Sequence, residues 1–487
     1  MSELLQNKHV AAGFPKSRLI GLFLGLGFLL LTLFTDPPGT MSPEAWSALG
    51  LMLIMATWWS SEAIPIPATA LLPIVLVPSL GLGSISEATS SYAHPIIFLF
   101  LGGFTLGLAM QRWKLHRRIA LLTLSAVGYE PKRQIAGFIM ATAFLSMWVS
   151  NTATAIMMLP IALSVIAMIG KSEPQNIQRY ATALLLAIAY AANIGGIATL
   201  IGTPPNALLA AYLNDTHGLS VGFAQWMLLG IPVASLMLVF TWWWLSRKDF
   251  GLGDQQNSAL VIQAELAEMG QMSRGEKIVA SIFVLTACAW IFRPLLSASL
   301  MPWLSDTGIA IAAAITMFMI PVNLRQQSFV LDWQSAEKLP WGILLLFGGG
   351  LAMASVISSS GLADWIATTI AATGTMSLLV LLIVIVSVLI FLTEVTSNTA
   401  TAAAFLPLLG ALALSQEASP LLLTVPAAIA TSCAFMMPVA TPPNAIVFSS
   451  GHIKISDMIQ TGFVLNILGI VVVTLMSYLF MDFIFTL

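Results

Sequence analysis

Charge is what this sequence has least of. Asp, Glu, Lys and Arg make up 8% of its 487 residues, where soluble domains carry about 25%. So few charges cannot cover the surface of a compact chain this size, which excludes a soluble enzyme. The 58% hydrophobic content excludes a disordered chain. A net charge of −2 leaves no basic surface for nucleic acid. Cysteine is scarce too: Cys288 and Cys433 both lie in apolar runs, so no disulfide framework is implied. His94, His217 and His452 sit near the ends of apolar runs without metal-ligand spacing. No Walker loop or nucleophile with a partner base is present. The first apolar run, Leu19 to Phe34, lacks a small-residue cleavage site before Asp36, so no cleavable leader is expected.

What is abundant is apolar sequence, with 35 Gly, 25 Pro and 24 Met. A spanning helix needs roughly 20 mostly apolar residues. Candidates are 19–34, 46–60, 64–80, 116–128, 135–168, 179–213, 224–246, 277–298, 307–322, 375–414, 422–449 and 462–486. The runs 135–168, 179–213 and 375–414 are too long for one span and hold polar, Gly or Pro residues midway, so they read as broken or re-entrant helices. The Gly-rich runs 95–110 and 341–357 are rather short and are expected to be hairpins. Arg112, Lys114, Arg117, Arg118, Lys132 and Arg133 form basic clusters that the positive-inside rule assigns to the cytoplasm, together with the N-terminus. They flank 116–128, which need not cross fully. The expectation is an all-α polytopic membrane protein of about 11 transmembrane helices plus two re-entrant hairpins, with a hydrophilic stretch near 247–277 dividing it.

The strongest signal is internal repetition. The run Ser150-Asn151-Thr152-Ala153-Thr154-Ala155 recurs unchanged as Ser397-Asn398-Thr399-Ala400-Thr401-Ala402. Thr203-Pro204-Pro205-Asn206-Ala207 recurs as Thr441-Pro442-Pro443-Asn444-Ala445. Upstream, Gly102-Gly103 is matched by Gly348-Gly349. Two copies of one unit across a polar linker are the pattern of a secondary transporter, and that reading implies two inverted repeats.

The motifs have a definite chemistry. Ser, Asn and Thr in mid-span compete for backbone groups and break the helix. The half-helix that follows has a partially positive N-terminus that can hold an anion. Freed carbonyls, with Ser, Thr and Asn oxygens, can hold a small hard cation such as sodium. Ser146 and Thr393 stand one turn before the motif serines, on the same face if the helix continues. Proline pairs leave the carbonyls before them free, which singles out Gly202 and Ala440. No Lys or Arg lies within 145–160, 195–210, 392–407 or 435–447. A dianion bound there needs helix N-termini, hydroxyls, amides and co-bound cations. Glu62 and Glu394 are the intramembrane acids and candidates for function, although for Glu62 a hydrogen bond that holds a neighbouring helix is the simpler role.

At these residues the chain resembles the divalent anion:sodium symporter family, the INDY-type carriers, over nearly its whole length. Glu62-Ala63-Ile64-Pro65, both Ser-Asn-Thr motifs, both Thr-Pro-Pro-Asn motifs and the run Ser432 to Val447 carry the resemblance. It implies sodium-coupled symport of C4-dicarboxylates such as succinate, fumarate and malate into the cell, with citrate or sulfate, or sodium-independent or proton-coupled exchange, as alternatives. It implies a homodimer in a bacterial inner membrane, with scaffold and transport domains that move as an elevator. On that pattern residues 1–94 are scaffold and 95–213 are first-repeat transport elements. Residues 214–340 are linker and second-repeat scaffold, 341–449 second-repeat transport elements, and 450–487 a final transmembrane helix. One sodium site would use Ser146, Ser150, Asn151 and Gly202, the other Thr393, Thr396, Asn398 and Ala440. Substrate carboxylates would meet Ser150, Asn151, Thr152, Thr203, Ser397, Asn398, Thr399, Thr441 and Pro442.

Overall fold

The computed structural model describes residues 16–172, 177–252, 256–299, 301–371 and 377–485. A bilayer core offers no water to backbone N–H and C=O groups, so spanning segments must satisfy their own hydrogen bonds. The described chain is accordingly helical almost throughout, apart from a small hairpin of β1 (Pro321–Asn323) and β2 (Ser328–Phe329).

The chain opens with α1 (Lys16–Phe34) packed on α2 (Pro43–Ser61). Short α3 (Ile66–Thr69), α4 (Leu72–Ser79) and α5 (Ile85–Ser90) lead to α6 (Pro95–Arg112) and α7 (Leu115–Val127). Next come α8 (Pro131–Ser146), α9 (Asn151–Ser172), α10 (Ile177–Ile197), α11 (Pro204–His217) and α12 (Phe223–Ser246). The middle of the chain forms α13 (Gln256–Met269), α14 (Arg274–Ser299), α15 (Asp306–Met319) and, beyond the β hairpin, α16 (Trp333–Ala336). The second half repeats the order: α17 (Trp341–Ser359), α18 (Leu362–Ala371), α19 (Leu378–Thr393), α20 (Asn398–Ser415), α21 (Leu421–Ala430) and α22 (Pro442–Phe448), closed by α23 (Ile455–Phe485).

The hairpins are not where the glycines suggested. Helices α6 and α17 each run unbroken through their Gly pairs and are long and apolar enough to cross a membrane. The glycines serve close helix contact instead. A Cβ on Gly102 would lie 2.6 Å from the Ala310 backbone, and one on Gly349 2.3 Å from the Ala70 carbonyl. The chain reverses at the Ser-Asn-Thr motifs. The outer ends of α8 and α9 both sit beside the start of α10: Tyr180 Oη donates to Gln134 Oε1 at 2.5 Å, and Ile177 packs by Gly170. α19 and α20 form the matching pair, packed on α21. The 179–213 run breaks at 198–203 as expected, and 422–449 breaks as well, at 431–441.

Hydrogen bonds sort the helix ends into two groups. Trp242 donates to the Lys132 carbonyl, Trp113 to Val330, and Gln178 to His452, which gathers these segments at one end. At the other end Phe223 N–H donates to Asp306, Thr307 to Pro95, and Gln225 to Ile484. The first hairpin enters from the former end. Among the described residues, Arg and Lys belong to elements at that same end, with Arg293 as the exception.

The basic cluster after α6 is less solvated than its composition suggests. Arg118 is buried, donating to Glu276 Oε1 at 2.8 Å and to the Gly270 carbonyl at 2.9 Å. This pair pins α7 and the α13–α14 turn to the bundle. Arg112 bonds Asp332 and, with Ser335, holds its carboxyl down at about 2. Removing one partner of a buried pair strands a charge and costs about 3–5 kcal/mol, whereas replacing both by apolar groups is often neutral. Arg118→Met is therefore expected to lower the unfolding temperature in detergent sharply. Arg118→Met with Glu276→Leu should recover most of the loss.

Candidate functional site

Both hairpin tips open into one cavity of about 800 Å³. Helix α9 begins at Asn151 and α20 at Asn398, so each motif serine is an N-cap. Ser150 Oγ accepts from Ala153 N–H at 3.3 Å, and Ser397 Oγ from Ala400 N–H at 3.5 Å. Serine suits this position because its oxygen satisfies an otherwise unpaired N–H. The proline pairs open helices rather than end them. Pro204 and Pro442 stand at the first helical positions of α11 and α22, where the missing N–H costs nothing. Thr203 and Thr441 precede them in nearly identical extended backbone, φ −144° and −141°. Four helix N-termini thus border the cavity, through Ser150, Asn151, Thr152, Thr203, Pro204, Ser397, Asn398, Thr399, Thr441 and Pro442. Their unpaired N–H groups and aligned dipoles make the cavity a setting for an anion without a lysine or arginine in the motifs.

Behind each tip lies a cluster of oxygens. Ser146 Oγ is 2.6 Å from Asn151 Oδ1 and 2.7 Å from the Ala192 carbonyl. Thr393 Oγ1 repeats the pattern, 2.7 Å from Asn398 Oδ1 and 3.0 Å from the Thr431 carbonyl. The chain breaks straight after Ser146 and Thr393, so each meets its asparagine across the tip and not along one helix face. One end of the Asn151 amide lies 2.6 Å from Ser146 Oγ, 3.2 Å from the Gly202 carbonyl and 3.3 Å from the Ala192 carbonyl, and with its nitrogen on that side it donates to all three. With the amide oxygen turned inward instead, it would join the Ser146 hydroxyl and the Ala192 and Gly202 carbonyls in a donor set that suits a small hard cation. Glycine is required here: a Cβ on Gly202 would meet the Gly196 carbonyl at 2.4 Å.

The remaining predicted residues take different places. Ala440 lines the cavity beside Thr441. Thr396 also lines it, but its hydroxyl turns back to the Leu392 carbonyl at 2.8 Å and to Thr401 Oγ1 at 2.7 Å. Glu394 does not line the cavity. It is buried, its Oε1 accepting from Phe435 and Met436 N–H at 2.7 and 2.9 Å and from Asn466 at 2.8 Å. Its Oε2 accepts from Met437 N–H at 3.0 Å. The carboxylate thereby satisfies a run of backbone donors in the non-helical break after α21. Glu62 lies on the cavity wall in an ion pair with Arg18.

Asn193 was not singled out in the sequence, though a lone asparagine in a long apolar run was the available signal. It is buried and lines the cavity. Its amide nitrogen bonds the second break at Thr441 Oγ1, Asn444 Oδ1 and the Ala434 carbonyl, at 3.0 to 3.2 Å. A first-repeat helix thus holds second-repeat residues in place. The motif asparagines Asn206 and Asn444 staple their own breaks. Asn206 Nδ2 donates to Thr199 O at 2.8 Å, and Asn444 Nδ2 to Met437 O at 3.0 Å.

Two helical hairpins whose tips share a cavity, inside an apolar helical bundle, fit a membrane secondary transporter. The chain belongs to the family described as the sodium:sulfate symporter transmembrane region, which it matches over residues 16–487. It is 42% identical over 485 residues to the sodium-dependent dicarboxylate transporter SdcS of Staphylococcus saprophyticus, covering 97% of this chain and 93% of that protein. The protein of the same name from Staphylococcus aureus strain USA300 is 43% identical, with 96% and 91% covered. The fold is similar to the crystal structure of the Alcanivorax borkumensis YdaH transporter, with a TM-score of 0.58 at 13% identity, covering 96% of this chain and 99% of that one.

The staples and the cavity-facing asparagines should separate experimentally. A buried polar group left unpaired costs about 1–3 kcal/mol. Asn206→Ala and Asn444→Ala each leave break carbonyls unpaired. Both should lower the sodium-free unfolding temperature in detergent more than Asn151→Ala or Asn398→Ala. The reverse order would place the structural load at the hairpin tips.

Proposed function

We propose that this chain is a sodium-coupled symporter of C4-dicarboxylates such as succinate, fumarate and malate. The observation that carries this reading is the duplicated polar cluster behind each hairpin tip, Ser146 with Asn151 and Thr393 with Asn398. Ser146, Asn151 and Gly202 would hold one sodium ion, with Ser150 at the tip. Thr393, Asn398 and Ala440 would hold the other, with Thr396 contributing through its backbone carbonyl. The substrate carboxylates would lie between the N-termini of α9 and α20. Ser150, Asn151, Thr152, Ser397, Asn398 and Thr399 would contact them, with Thr203, Thr441 and Pro442 on the flanks. The dicarboxylate assignment draws on the named relatives. The family description names sulfate, so sulfate and citrate are the competitors to test.

The finer architecture belongs to the same reading. The second hairpin lies toward the opposite end, where Gly410 of α20 meets Tyr212 near the end of α11, and hairpins from opposite ends support inverted repeats. Counting α3–α4, α10–α11 and α21–α22 as single crossings gives about 11 spans and two hairpins. The concentration of Arg and Lys at one end supports a cytoplasmic N-terminus in a bacterial inner membrane. The homodimer, and the elevator motion of a transport domain against a scaffold, rest on the family resemblance.

Labelled succinate uptake into proteoliposomes, with sodium or choline outside, tests the function directly. Uptake should require sodium, and unlabelled succinate should compete better than citrate or sulfate. Asn151→Ala and Asn398→Ala should each abolish sodium-driven uptake at near-normal expression, because a dry site offers no water to replace an amide oxygen. Thr152→Ala and Thr399→Ala should weaken succinate by about 1.5–3 kcal/mol, roughly 10- to 150-fold, with a smaller effect on sodium. Equal succinate affinity in sodium and choline would leave a sodium-independent exchanger as the better reading.

Sodium should also bind before substrate. The motifs hold no Lys or Arg, so the sodium-free cavity should attract a dianion poorly. Linkage then requires succinate to raise sodium affinity by the factor that sodium raises succinate affinity. Calorimetric titration at constant ionic strength should show a more than first-power dependence of succinate affinity on sodium.

A further inference from the structure

The cavity extends past the motifs to the basic end of the bundle. Its wall there includes Arg18 from α1 and Trp59 to Glu62 from the end of α2. Among the described lining residues, Arg18 is the one cation and Glu62 the one acid. Arg18 Nη2 stands 2.9 Å from Glu62 Oε2, with the side chains 44% and 56% exposed. An ion pair this open adds little to stability, so its position needs another reason.

The frame around the pair is built tightly. Gly21 brings α1 so close to α2 that a Cβ there would lie 2.0 Å from Ser61 Oγ. Trp58 Nε1 donates to the Leu22 carbonyl at 3.2 Å, fixing the same stretch of α1. Glu62 ends α2 in the left-handed region, φ 47° and ψ 41°, with its N–H bonded to the Trp58 carbonyl. A residue with a β-carbon is strained there, and such strain gathers at ligand clamps and switches. A stiff frame therefore holds a guanidinium and a carboxylate carried on left-handed backbone together on the wall of a cavity whose other described lining residues are uncharged.

We propose that Arg18 is a substrate-docking residue at the basic-end mouth of the cavity, and that Glu62 is an internal stand-in for the substrate carboxylate. This rests on the placement of the substrate between the hairpin tips. A guanidinium presents a planar fork of donors that matches a carboxylate. When a dicarboxylate passes, one of its carboxylates takes the place of Glu62, exchanging like for like. Glu62 is half exposed, so it remains solvated when displaced. Without Glu62, Arg18 would hold the dianion and delay its passage. Without Arg18, the Glu62 carboxylate would repel it.

The two roles predict opposite signs, which a structural tie between α1 and α2 does not. The test is stopped-flow fluorescence of succinate binding to the purified full-length chain in sodium, across a range of ionic strength. Arg18→Gln should slow association and weaken affinity on the order of tenfold, the scale of one charge-assisted hydrogen bond, and added salt should then speed association by screening the unpaired Glu62. Glu62→Gln should do the reverse, tightening succinate and slowing its release. The double variant should recover part of the Arg18→Gln loss, because it also removes the repulsion of the unpaired Glu62 carboxylate. Sodium dependence should be unchanged in all three. Equal effects of the two single variants, or none, would overturn the proposal. If Arg18→Gln fails to fold, the sign of the Glu62→Gln effect decides alone. Silent Arg18 and Glu62 variants in a chain that binds succinate only with sodium would sink this inference and spare the proposed function. Absence of succinate binding to the unaltered chain would sink both.

Discussion

Helices that stop in the middle of a bundle leave backbone groups unpaired, and in a membrane no water is there to take them up. That constraint organises the centre of this molecule. Helices α8, α10, α19 and α21 end there, and α9, α11, α20 and α22 begin there. The beginnings offer donors and positive dipole ends; the endings offer carbonyls. Anion and cation chemistry are thus set side by side by the same chain breaks, without a charged residue in the motifs. Each side chain at the breaks has a task that follows from this: Ser150 and Ser397 cap, Asn206 and Asn444 staple, and Asn151 and Asn398 face the oxygen clusters.

The two halves meet this constraint differently. The second break, 431–441, is longer than the first, 198–203, and its donors at 435–437 are collected by Glu394. The first break is closed more tightly, by Asn206 and by glycines at 196 and 202 that admit backbone against backbone. Asn193 then ties the first half to the second, bonding Thr441 and Asn444 from α10. One buried amide thus fixes the two halves of the centre to each other.

Outside the centre, small residues set the geometry. Gly102, Gly348 and Gly349 allow helices to approach until backbone touches side chain or backbone. Close approach is what drives helix association where lipid is as apolar as the helix surface. At the basic end the buried Arg118–Glu276 pair fixes the polar middle segment to the bundle. The exposed Arg18–Glu62 pair is placed on the cavity wall by the packing of α1 on α2.

The sequence by itself determined the class, because scarce charge and long apolar runs leave no other solvent than lipid. It also located the helix breaks of the centre. Identical Ser-Asn-Thr and Thr-Pro-Pro-Asn runs in two halves are local signals, and helix breaking by Ser, Asn and Pro is a local property. Which segment turns back was not local. Gly102-Gly103 and Gly348-Gly349 read as bends, yet α6 and α17 run straight, because the space that a missing Cβ leaves was filled by Ala310, Tyr92 and Ala70 from elsewhere in the chain. Glu394 and Glu62 both read as intramembrane acids, with a helix-holding hydrogen bond the simpler role for Glu62. Only the fold sent one to a run of backbone N–H groups and the other to Arg18, some 44 residues away in the chain. Asn193 and Arg18 reach the cavity from segments without a motif. Their roles depend on what packs beside them, and tertiary contact alone decides that.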